Sequence, residues 1–120
     1  MKIWIKPLSV NEAYSTVRGR RIKSPAYRLF EKELLLKLPK MDIPEGKLEI
    51  HYKIGFSSKG SDLDNALKQL NDCLQKRYGF NDNLIYRIFA EKEIVKKGQE
   101  FIEFNIKKCY DFRNSTSNSN

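Results

Sequence analysis

The stretch of this sequence best equipped for chemistry is Asp62-Leu-Asp64-Asn65, with Lys68 and Asp72 following at four-residue steps from Asp64. Asn81-Asp82 comes a little later. Carboxylates gathered in one place repel each other unless a cation lies among them. Oxygen ligands without His or Cys suit magnesium or manganese. A cation held in that way can activate water and stabilise the departing oxygen of a phosphodiester. Lys68, one helical turn from Asp64, can meet the extra charge of the transition state.

Each residue also has a plainer use. Asp62 and Asp64 can cap a helix and answer its dipole. Asp64 and Lys68 can form an ordinary surface pair at i,i+4. Asp72 can be a solvated helix residue, and Asn81-Asp82 a turn former. Asn65 can cap locally or hold a carboxylate in place. His51, the one histidine, alternates with an apolar face and reads as a surface strand residue.

Whether the carboxylates meet depends on the elements that carry them. If Asp62 and Asp64 were both helical, steps of ~100° each would turn them ~200° apart. If the chain is extended at Asp62 and helical just after, they can converge. Ser57-Ser-Lys-Gly-Ser61 makes such a break natural. Before it, Leu48, Ile50, Tyr52, Ile54 and Phe56 alternate with polar residues, the period of a half-buried strand. After it, residues 62–78 return to helical spacing, with Gly79 as the stop. Asp82 falls just ahead of the next strand, at the same end of the sheet if that strand pairs beside the first.

The remaining pattern gives a short strand at Ile3-Trp4-Ile5 and a long connection over residues 8–23. A helix begins at Ser24-Pro25, with Ser as cap and Pro in the first turn, and carries Tyr27, Phe30, Leu34 and Leu38. Leu84 to Glu93 reads as a strand and Phe101 to Lys107 as its hairpin partner across Lys96-Lys97-Gly98. The order β-α-β-α-β-β is a small α/β fold, a mixed sheet with two main helices. Residues 1–110 form one domain; the polar segment 111–120 reads as a disordered tail.

Composition narrows the classes further. The chain has 120 residues with 23 Lys and Arg against 15 Asp and Glu, a net charge of +8. Mean hydropathy is −0.62, and charged residues interrupt every apolar run, so a membrane span is not expected. Two cysteines, Cys73 and Cys109, without a Cys-x-x-Cys pair exclude the usual zinc frameworks and suit a reducing, cytoplasmic compartment. The charge is uneven. Residues 1–40 hold ten basic and three acidic residues, residues 41–120 thirteen and twelve. Much of the excess lies in Arg18-Gly-Arg20-Arg21-Ile-Lys23, read as a flexible basic loop able to attract a polyanion or simply to keep the surface solvated.

Taken together, the order and spacing of these residues resemble the RusA family of Holliday junction resolvases. Asp62-Leu-Asp64-Asn65 and Lys68 match its central motif directly. Asp72-Cys-Leu74, Gly79 and Asn81-Asp82 stand where the family has Asp-Ala-Leu, a glycine and an acidic pair. Leu8-Ser-Val-Asn11, the basic stretch before Ser24-Pro25-Ala-Tyr27, and Glu91-Lys92 are also similar, so the resemblance spans about residues 3–107. It implies a homodimeric, magnesium-dependent endonuclease that nicks four-way DNA junctions symmetrically, of bacterial or phage origin and without a small-molecule cofactor. By that resemblance Asp62, Asp64 and Asp82 are metal ligands and Lys68 the catalytic lysine. Asn65, Asp72 and Asn81 are secondary, and Asn11, Arg18, Arg20, Arg21 and Lys23 contact DNA. Asn81 departs from the family's acidic pair: its carbonyl oxygen carries no charge, which lowers metal affinity. That departure leaves a second reading, a nucleic-acid-binding module of the same fold with weak or no activity. A sugar-nucleotide transferase is set aside, because the chain is short and has no glycine-rich phosphate loop.

Overall fold

The computed structural model describes residues 1–8 and 14–110; the expectations for Asn11 and for the tail at 111–120 lie outside them. Chain order is β1 (Lys2–Trp4), β2 (Tyr14–Val17), β3 (Arg20–Lys23), α1 (Pro25–Lys37), β4 (Leu48–Phe56), α2 (Leu63–Tyr78), a 3-10 turn (Asp82–Leu84), β5 (Ile85–Ile94) and β6 (Phe101–Lys108). Four strands form one mixed sheet in the order β1-β6-β4-β5, and β2 and β3 form a separate ribbon. The mixed α/β architecture is the expected one.

Strand β4 takes the centre because its alternation is the strongest in the chain. Leu48, Ile50, Tyr52, Ile54 and Phe56 are all buried on one face. Both helices cover that face. Phe30, Leu34 and Leu38 of the α1 segment and Ala66, Leu70, Cys73 and Leu74 of α2 join β4 and β6 in one core. Ser24 caps α1 by accepting the Tyr27 N–H at 3.1 Å, with Pro25 in the first turn. Gly79, at φ 73°, ends α2 and donates its N–H to the Gln75 carbonyl at 2.8 Å. Burial pushes the Cys73 thiol up to about 12. Among the described residues no helix lies on the other face of the sheet, where Trp4 and Phe89 are exposed to solvent. No helix among the described residues is long and apolar enough to cross a membrane.

Two expectations are corrected. Strands β5 and β6 are not hairpin partners, because β4 lies between them: β5 pairs with β4 in parallel, and β6 pairs with β4 antiparallel. The connection passes over the end of β4, where Val95 N–H donates to the Phe56 carbonyl at 2.8 Å. A parallel pair needs a long crossover, and α2 supplies it. The basic stretch is likewise not a loop but the β2–β3 hairpin, with Val17 paired to Arg20 and Tyr14 to Lys23. Its two-residue turn has positive φ at Arg18 (52°) and Gly19 (78°), the form whose twist matches the flanking strands.

Candidate active site and basic hairpin

At Asp62 the chain is extended (φ −99°, ψ 118°), and the helix begins with Leu63. This is the break that allows convergence. Asp62 caps α2: Oδ1 accepts the Asp64 N–H at 3.0 Å and Oδ2 accepts from Asn65 Nδ2 at 3.1 Å. The capping role and a ligand role are compatible, since each carboxylate oxygen keeps a lone pair beyond those two bonds. Asp64, at the second helical position, is exposed, and its carboxylate has no hydrogen bond or ion pair among the described residues. Both acids thus sit at the positive end of the helix dipole.

Lys68 is exposed one turn along and forms no ion pair with Asp64 or Asp72. Asp72, eight residues past Asp64, lies about 12 Å further down the helix axis, beyond reach of a cation at the first turn. Asn65 holds the Asp62 carboxylate, as its second expected use required.

Asp82 stands elsewhere, and the expectation that it shares an end of the sheet with Asp62 is corrected. Strand β5 does pair beside β4, but in parallel, with Leu48 opposite Ile85. The start of β5 therefore lies at the start of β4, whereas Asp62 follows the end of β4. Helix α2 has 16 residues, so it separates the two positions by about 24 Å. Asn81 caps the intervening 3-10 turn, its Oδ1 accepting the Asn83 N–H at 3.1 Å. Among the described residues no group of three His, Cys, Asp or Glu side chains is placed to hold a metal. Asp62 and Asp64 have the donor chemistry for a hard cation, but one chain brings two of the three expected carboxylates together, not three.

The hairpin carries Arg18, Arg20 and Arg21 on its exposed surface. Lys23, at its base, bonds Glu31 Oε2 at 3.4 Å, and Lys76 of α2 bonds Glu31 Oε1 at 2.8 Å. Burial alone would raise the Glu31 pKa, but the two lysines outweigh it and hold the carboxyl below its usual range. The hairpin is thereby fastened to both helices. His51 lies mid-strand on the open face, 2.6 Å from Glu49 and stacked on Phe89 with ring centroids 4.8 Å apart. Its bond, with help from Arg87, keeps the Glu49 carboxyl below its usual range. A concavity of about 500 Å³ lies here, lined by His51, Lys53, Phe89 and Glu103 among others and by no aspartate.

Sequence reasoning gave no role to Lys92. Its Nζ donates to the Lys59 carbonyl at 2.9 Å and the Ser61 carbonyl at 2.6 Å, directly beside Asp62. The only signal was its place at the end of a strand, which says nothing about the loop it reaches.

The family model described as Endodeoxyribonuclease RusA matches residues 5–107, a span that takes in every element from the core helices to most of β6. No curated protein matches the chain.

Proposed function

Because this chain belongs to the RusA family of endodeoxyribonucleases, we propose that it is a divalent-metal-dependent nuclease that resolves four-way DNA junctions by paired nicks. The observation that supports this most is the start of α2. There Asn65 orients Asp62, and Asp64 stands uncommitted one residue into the helix. Magnesium or manganese, when bound, supplies charge to polarise the phosphodiester and acidify water. Asp62 and Asp64 would hold it. Lys68 presents an ammonium group one turn from Asp64, suited to the charge that builds on the phosphate. Arg18, Arg20, Arg21 and Lys23 grip backbone phosphates, which position the DNA without reading its sequence.

The third carboxylate, on this reading, comes from a second copy. Strand β5 has ten residues and is the outer strand of its sheet, with Tyr86, Ile88 and Phe89 exposed. A long apolar edge of that kind invites pairing. Antiparallel pairing of two β5 edges about a two-fold axis sets the start of one strand beside the end of the other. That brings Asp82 of the partner subunit toward Asp62 and Asp64. A two-fold dimer also presents two sites to a two-fold junction.

The test is a labelled four-way junction and a matched linear duplex, each incubated with magnesium and with EDTA. Paired nicks confined to the junction, dependent on magnesium and absent in Asp64→Asn, are expected. Tight junction binding without nicks in magnesium or manganese would leave a DNA-binding module instead.

A further inference from the structure

The segment that leads from β4 into Asp62 is held from both flanks. On one, Ser57 Oγ donates to Glu100 Oε2 at 2.7 Å, and the other oxygen of Glu100 accepts the Gly98 N–H at 2.8 Å. On the other, Lys92 reaches over from β5 to the Lys59 and Ser61 carbonyls. Between these anchors the segment has one backbone bond of its own, Ser61 N–H to the Ser58 carbonyl at 3.2 Å. A loop with so few internal bonds takes its shape from outside contacts.

Lys92 is suited to that work. It lies opposite Ile54 in the β4–β5 register, so it shares the helix-covered side of the sheet with the start of α2. It has no ion pair with a carboxylate among the described residues; two of its three donors go to the loop. Ser61, one of its partners, immediately precedes Asp62. Fixing the Ser61 carbonyl fixes the peptide plane from which Asp62 enters its extended conformation.

We propose that Lys92 is a positioning residue, which sets the entry angle of Asp62 and thereby the aim of the Asp62 and Asp64 carboxylates. The catalytic half of this inference rests on the nuclease reading above; the loop-holding half does not. The full chain is prepared as wild type, Lys92→Met and Lys92→Arg. Amide exchange is followed by NMR at Ser61 and Asp64, whose bonds depend on the loop's shape, and at β4 and β6 as controls. In Lys92→Met, exchange at Ser61 and Asp64 is expected to quicken about tenfold with the strands unchanged, as for the loss of charge-assisted hydrogen bonds at a local opening. The turnover rate on the junction should fall by about as much, with junction affinity in EDTA held within about twofold. Lys92→Arg, which keeps the charge and the donors, should restore most of both.

Unchanged exchange at Ser61 and Asp64 overturns the proposal, whatever happens to cleavage. So does faster exchange with an undiminished turnover rate. A wild-type chain that cleaves nothing would sink the nuclease reading, while the exchange data would still decide whether Lys92 holds the loop.

Discussion

Asp62 caps α2 and, on the proposed reading, also holds the metal with the same carboxylate; substitution can separate the two. Asn keeps an acceptor for the Asp64 N–H, so Asp62→Asn should leave urea stability nearly unchanged while cleavage is lost. Asp62→Ala removes the cap as well and should lower stability by about 1 kcal/mol. This group was legible in the sequence because its geometry is local: a glycine, a serine and a capping acid next to one another determine how the helix starts. The position of Lys92 was not legible, since its partners lie about thirty residues away and are backbone carbonyls that any residue offers. Gly55 makes a similar point. A Cβ there would run into the Phe101 ring, so Gly55→Ala should destabilise by about 1–3 kcal/mol in urea unfolding, the usual cost of overpacking.

At the scale of elements, Glu31 is the junction between the hairpin and the helices. Its folded pKa lies below the ordinary 4.5, so it binds its proton more weakly in the native state than in the unfolded chain. The stabilisation is fully present above about pH 4.5 and is lost as pH falls through the lower folded value. The expected outcome is hairpin amides that open more readily in mild acid, and at neutral pH in Glu31→Gln, read by hydrogen exchange. The effect on global stability should stay below about 1 kcal/mol, as for partly exposed pairs. The helices and β4 were readable because each buries a periodic apolar face. The hairpin was not. Ser15, Thr16 and Val17 are exposed and Arg20–Lys23 present no such face, and the turn has Arg18 where Asn or Asp usually signals it.

The whole molecule sets the limits of what pattern can reveal. Period two marks β4, β5 and β6 as strands but not their neighbours or directions, and the parallel β4–β5 pairing is what parts Asp82 from Asp62. Mixing Asp64→Asn and Asp82→Asn, each expected to be inactive, tests the proposed shared site. A heterodimer holds one intact set of carboxylates, so the mixture should regain about a quarter of wild-type nicking if subunits exchange freely and each site draws on both chains. No regain would mean that each site is built within one chain. The strand order has a further effect, on how the protein comes to be folded. Among the described residues strand β1 pairs only with β6 in the sheet, with Trp4 opposite Phe101. During synthesis residues 2–4 therefore wait, unpaired, for residues 101–103 to leave the ribosome. So distant a contact closes a loop of nearly the whole chain, which slows folding. It also means that β1 can join the sheet only once β6 is in place, which leaves its edge open to premature association while the nascent chain is incomplete.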